Sequence, residues 1–376
     1  MTQTFPGFVD VHVHFRDPGM PEAETTVTGL AAARRGGFAA VVTMPNTVPA
    51  CDSPEAVRRQ LEANAAEGAR TVIFPSACIT RGRLGKEVAE LERLAEAGAA
   101  FFTDDGGYVA DDRVMEAAMN RIAALDMVVS QHAMDPVEQR GGVIRDCALA
   151  RRLGLPVVSV ETETRAIRRD LSLVRETGCR LHIQHISTAE GVGLVREAQR
   201  EGLPVTAEAT PHHLLLCCDD LTVDDANFKM APPLGNREDR AELRKAVKEG
   251  VLMFATDHAP HPAAKKSRGF LTGANGIVGL ETAIPVTYAV MVEEEGMSVE
   301  KWAEAWWKLP RDIVRAGAAG ALRSVTAAGG AVTLNDTTIE IGAARAVDTG
   351  AFASRSRNCP YHGMEFRCWP VGGGAS

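Results

Sequence analysis

From residue 8 to about residue 260, short runs rich in β-branched residues alternate with longer amphipathic stretches of Ala, Glu, Arg and Leu. That rhythm belongs to repeated βα units. Eight runs are predicted as strands: Phe8 to Phe15, Phe38 to Met44, Thr71 to Ile79, Ala100 to Thr103, Met127 to Ser130, Arg180 to Ile186, Pro204 to Ala209 and Val251 to Thr256. Between them, helices are predicted at Glu55 to Glu67, Lys86 to Ala97, Arg113 to Ala124 and Arg237 to Glu249, with Gly68, Gly98 and Gly250 as stops. Strands and helices in this order predict an α/β fold, a closed (β/α)8 barrel of the TIM type. After Pro260 come a Gly-rich loop (Gly269 to Gly279), helical segments through Trp302, Trp306 and Trp307, and, beyond about Gly329, Thr-rich sequence such as Ala331 to Ile341 that reads as short strands. The expected division is a barrel over 5–325 and a small C-terminal β appendage over 326–376.

Composition agrees with one large barrel plus an annex. Among 376 residues, 45% are hydrophobic and 24% charged, enough to bury a large core and far from a disordered composition. With 41 basic and 49 acidic residues the net charge is −8, and no basic cluster stands between aromatics, which excludes nucleic acid and anionic membrane as expected partners. The N-terminus lacks a basic region followed by an apolar run, and no window approaches a membrane span, so a cytoplasmic location is expected. Eight scattered cysteines without paired CxxC spacing read as reduced structural thiols.

In Phe8-Val-Asp-Val-His-Val-His-Phe15, strand alternation predicts Asp10, His12 and His14 on one face and Val9, Val11 and Val13 on the other. Two imidazoles facing a barrel lumen are poor core filling unless they share a metal. Hydrogen-bonded core histidines are the structural alternative. Further candidate ligands recur where the other strands end: Asp104 and Asp105, His132, His185, and Asp257 with His258 and His261. Active sites of this fold lie at that rim, and a histidine and carboxylate set without thiolates suits zinc or another divalent transition metal. Parity leaves His182 against His185, and Asp104 against Asp105, undecided. His212 and His213 end another strand with a structural or substrate role equally open, and His362 is expected at the surface. Arg16 and Asn46, just past the first two strands, offer a planar fork and a neutral amide suited to clamping a carboxylate.

Pro6-Gly-Phe-Val-Asp-Val-His-Val-His-Phe-Arg-Asp-Pro-Gly19, Met44-Pro-Asn-Thr47, Phe102-Thr-Asp-Asp-Gly106, His182-Ile-Gln-His-Ile-Ser-Thr188, Ala255-Thr-Asp-His-Ala-Pro-His261 and the Ser356-Arg-Asn-Cys-Pro360 element span nearly the whole chain. Together they resemble the bacterial dihydroorotases of the amidohydrolase superfamily. The resemblance implies that His12, His14, Asp105, His132, His185 and Asp257 hold one or two zinc ions. Asp105 then stands where many relatives use a carbamylated lysine. It implies that Arg16, Asn46 and His261 bind the carboxylate of dihydroorotate. Asp257 would take a proton from water and return it to the departing amide nitrogen, giving N-carbamoyl-aspartate. It further implies a homo-oligomer, with an aspartate carbamoyltransferase as a possible partner. The departures are Ala231 and Gly235 where relatives carry Asn and Arg, Asn275-Gly276 where Pro-Gly is expected, and a start almost at the first barrel strand, which predicts an incomplete β-sandwich appendage. Alternative readings are a non-catalytic subunit supporting aspartate carbamoyltransferase, and a related amidohydrolase for another cyclic ureide.

Overall fold

The computed structural model describes residues 1–67, 71–326 and 334–371, with side chains described for all of these except 315–326. The strands are β1 (Thr2–Phe5), β2 (Phe8–Val13), β3 (Phe38–Thr43), β4 (Val72–Pro75), β5 (Val128–Gln131), β6 (Arg180–Ile183), β7 (Val205–Ala209), β8 (Met253–Phe254), β9 (Thr337–Ala346) and β10 (Glu365–Pro370). Parallel ladders join β2, β3 and β4, and likewise β5 to β8. Two links close the ring: Phe102 bridges Ala77 and Val129, and Val13 bridges His258. The run expected at Ala100 to Thr103 therefore supplies the fourth stave through single bridges, and the fold is the (β/α)8 barrel.

Two apolar layers hold it. Phe8, Val13, Val41, Ile73, Val129, Leu181, Val205 and Phe254 pack against helix residues such as Leu30, Val57, Met119 and Val195. Val9, Val11, Ala40, Val42, Val72, Phe74, Val128 and Met253 form a second cluster with Ile313 and Val314 of the helix Val299–Thr326. Arg311 of that helix donates to the carbonyl of Gly7, at the start of β2, so the helix closes the N-terminal end of the barrel. The opposite rim remains open for chemistry.

Local sequence sets most helix ends. Thr25 and Asn236 form capping boxes, Ser53 caps a helix with Pro54 at its first position, and Gly98 and Gly250 end helices in the left-handed conformation. One expectation needs correction: the helix predicted from Lys86 begins only at Leu91. The preceding residues instead form a 3-10 turn, Arg81–Arg83, and an antiparallel bridge from Thr80 to Val88, with Gly82 and Gly85 both at positive φ. Gly68, Gly329 and the first residues of the predicted Ala331 strand lie outside the described residues. The appendage is a three-stranded antiparallel sheet of order β1-β9-β10, so residues 2–5 pair with the tail. All eight cysteines are buried and free. No described helix is long and apolar enough to cross a membrane.

Candidate active site

The alternation expected in β2 does not hold throughout. Val9 and Val11 join the interior cluster while Val13 joins the outer one, and the register to β3 shifts between Asp10 and Val13. Asp10 turns to β8, accepting from the amide of Thr256 at 3.1 Å and its hydroxyl at 2.5 Å. An irregularity of this kind re-aims the side chains that follow it. Here it lets His12 and His14 share the lumen without Asp10.

His12 and His14 meet carboxylates from two other staves. His12 Nε2 lies 3.3 Å from Asp105 and 3.5 Å from Asp257, and His14 Nε2 lies 3.4 Å from Asp105 and 3.0 Å from Asp257. On the far side, His132 Nδ1 is 2.9 Å from His185 Nε2 and 3.6 Å from Asp105. Five staves and the loops after them thus converge on one buried point. His185 and Asp257 hold φ of 31° and 48°, a left-handed conformation costing about 1–3 kcal/mol each for such residues.

The charges explain what this cluster wants. Burial opposes ionisation of Asp105 and Asp257, but His12 and His14 outweigh it and hold both well below the usual carboxylate range. Burial, with its cationic neighbours, pushes His185 down to about 3 and lowers His14, keeping both neutral. Ionised carboxylates, neutral His14 and His185, and a His12 that, against burial, Glu208 and Asp105 raise well above the usual imidazole range therefore share one pocket. Moreover, His12 Nε2 and Asp105 Oδ2 are buried without a hydrogen-bond partner among the described residues. Orphaned polar atoms cost about 1–3 kcal/mol each, and a divalent cation would satisfy both. Potential ligand atoms of His12, Asp105 and His185, and of His12, His14 and Asp257, lie within 4.8 Å of one another.

Beside the cluster opens a cavity of about 220 Å³ lined by Arg16, Asn46, His261, Ala231, Asn275 and Gly276 among others. Asn46 turns its oxygen to His14 Nδ1 at 3.0 Å, leaving its amide nitrogen for the cavity side. His261 Nε2 donates to the carbonyl of Asn275 at 2.7 Å, so Arg16 Nη2, 3.5 Å away, finds no acceptor on that ring. Burial lowers Arg16 to about 10, which leaves it cationic near neutrality.

Several candidates go elsewhere. Asp104 accepts from the amides of Ile79 and Thr80 and from the Thr80 hydroxyl. His258 accepts from the amides of Gly279 and Leu280 and faces Glu24 at 3.3 Å. His213 donates to the carbonyl of Pro232 at 3.1 Å, next to the cavity residue Ala231. His212 is buried with Nε2 unpartnered among the described residues, and His362 is exposed.

A family model described as Dihydro-orotase-like matches residues 3–191. Over 367 residues the chain is 43% identical to the dihydroorotase of Bacillus caldolyticus, an alignment covering 97% of this chain and 84% of that one. The chain belongs to the dihydroorotase family. Its fold is that of the L-hydantoinase (dihydropyrimidinase) of Arthrobacter aurescens, with a TM-score of 0.80 at 24% identity, covering 98% of this chain and 83% of that one. The dihydroorotase of Saccharomyces cerevisiae, solved with 5-fluoroorotic acid, overlays with a TM-score of 0.71 at 17% identity, covering 98% of each chain.

Sequence reasoning missed one residue of this dihydroorotase-family site. Glu208 of β7 is fully buried and accepts from His12 Nδ1 at 2.6 Å, from His182 Nε2 at 2.8 Å and from the amide of His185 at 3.1 Å. Two imidazoles and the segment that follows β6 are thus set by one carboxylate. Such a partner fixes the tautomer of His12 so that Nε2 faces the cluster. The signal was available: Glu208 shares parity with Thr206 in a strand whose Val205, Ala207 and Ala209 pack outward. Glu208→Gln should weaken binding of a divalent metal about 10- to 100-fold, read by competition with a chromogenic chelator. Unchanged affinity would remove Glu208 from the account.

Proposed function

We propose that this dihydroorotase-family chain is a metal-dependent cyclic amidohydrolase of pyrimidine biosynthesis in the cytoplasm, interconverting dihydroorotate and N-carbamoyl-aspartate. The observation that carries the reading is the buried convergence of His12, His14, Asp105 and Asp257, with orphaned ligand atoms, beside Arg16, which donates through Nε to the carbonyl of Pro260 and has no carboxylate partner among the described residues. His12, His14, Asp105, His132, His185 and Asp257 would hold one or two zinc ions. Bound there, a divalent ion supplies polarisation of the ring amide carbonyl and brings the pKa of water toward about 7.

The chain's own residues do the rest. Arg16 and the Asn46 amide grip the ring carboxylate, with His261 beside them, and so fix which carbonyl faces the cluster. Oxygen from water bonds to that carbonyl carbon while Asp257 accepts the water's proton. As the ring C–N bond breaks, Asp257 returns the proton to the departing nitrogen. Ring closure runs through the same atoms in reverse.

Arg16 is what makes a carboxylate-bearing ring the preferred substrate. Arg16→Ala should raise KM for dihydroorotate about a hundredfold, the worth of a charge-assisted pair, with a smaller change in kcat. A ring lacking the carboxylate should be turned over equally poorly by both proteins. An unchanged KM, or equal turnover of the two rings by the unsubstituted chain, would favour another cyclic ureide as substrate.

A further inference from the structure

A second arginine reaches the same mouth. Arg83 sits in the 3-10 turn after β4, at φ 58°, an uncommon conformation for a residue with a side chain. Its Nη2 lies 3.2 Å from where a Cβ on Gly106 would be, and the Asn46 amide nitrogen lies 3.4 Å from that same point. Gly106 lines the cavity and follows Asp105 directly. The guanidinium therefore lies against Gly106 at the cavity rim, near enough to Arg16 for the two charges to oppose each other.

Arg83 is also uncommitted. Arg81, two residues earlier, pairs with Glu87 at 3.3 Å and Glu90 at 3.6 Å, whereas Arg83 has no carboxylate partner among the described residues. Its Nε is buried with no acceptor among them. Asp104, a carboxylate close enough to feel its charge, is occupied by Ile79 and Thr80. Arg83 is half-buried, and a buried guanidinium nitrogen without an acceptor among the described residues, beside another arginine, points to an anionic ligand.

The two reaction partners differ in charge: dihydroorotate carries one carboxylate and N-carbamoyl-aspartate two. We propose that Arg83 is a specificity-determining residue that supplies a second fixed positive charge at the mouth and favours the open-chain dicarboxylate over the ring. The proposal rests on the dihydroorotate reading of the site.

Attraction to a fixed charge scales with ligand charge. If Arg83→Gln raises KM for dihydroorotate about threefold, KM for N-carbamoyl-aspartate should rise about tenfold, both effects shrinking at high salt. Because the equilibrium constant of the reaction cannot change, kcat for ring closure must then rise about threefold relative to kcat for hydrolysis. A merely structural role would not move that ratio. Arg83→Lys, which keeps the charge, should restore most of the KM difference, and thermal melting checks that each variant is folded. Equal changes in the two KM values, or no change in a folded variant, would overturn the proposal. A chain that never turns over dihydroorotate would instead overturn the reading beneath it.

Discussion

Asp257→Asn should lower kcat in both directions by about 10³ to 10⁴, the largest effect expected of any single substitution in this chain. The amide keeps the shape of the carboxylate but cannot accept a proton from water. Asp257 is suited to that role by position, with Oδ1 at 3.0 Å from His14 Nε2 and 3.5 Å from His12 Nε2 at the cavity floor. Its carboxyl in the free chain is held well below the usual range because, against the cost of burial, His12 and His14 favour the anion. An anion at that point is a proton acceptor across the neutral range. Because the same group must return the proton, hydrolysis and closure should fall together. The check is the steady-state rate of each direction, with circular dichroism showing the fold retained. A folded variant keeping a tenth of its turnover would contradict the role given to Asp257.

His12→Ala should remove the bound metal and lower turnover at least about a thousandfold, since cation polarisation of the scissile group supplies several kcal/mol. His12 is central to the cluster: it reaches Asp105 at 3.3 Å, Asp257 at 3.5 Å and, through its other nitrogen, Glu208 at 2.6 Å. Deleting it also strips Glu208 of one buried partner, at about 1–3 kcal/mol. A lower melting temperature is therefore expected alongside the lost metal. Comparison with Glu208→Gln separates the two, because that variant loses the orienting contact and keeps the ligand. Metal content per chain, by atomic emission after gel filtration, is the readout. Full metal occupancy in a folded His12→Ala protein would contradict the proposed ligand set.

Much of this geometry was legible from sequence because barrels obey strong rules. The alternation of β-branched runs with Ala-rich helices predicts the staves, and the fold itself places their C-terminal ends on one rim. Asp105 and His185 could not be separated from Asp104 and His182 by parity, since neighbouring positions are decided by loop hydrogen bonds formed only in three dimensions. The β2 irregularity was hidden for a related reason: strict alternation describes a regular ladder, and the register shift before Val13 depends on pairing with β3. Glu208 and Arg83 escaped notice differently. One lies within a strand and the other in a turn between the predicted strand Thr71 to Ile79 and the helix predicted from Lys86, so neither falls in a motif at a strand end. The pairing of β1 with β9 joins residues at opposite ends of the chain, beyond the reach of any local pattern.

Turnover of dihydroorotate by this chain is proposed to depend on a metal held at the His12 and His14 cluster. The direct test is a dihydroorotate hydrolysis assay on the isolated chain, dialysed against a chelator and then titrated with zinc. Turnover below about 1% is expected in the metal-free protein, restored by one or two equivalents of zinc. Undiminished turnover by a chain shown to contain no metal would contradict it.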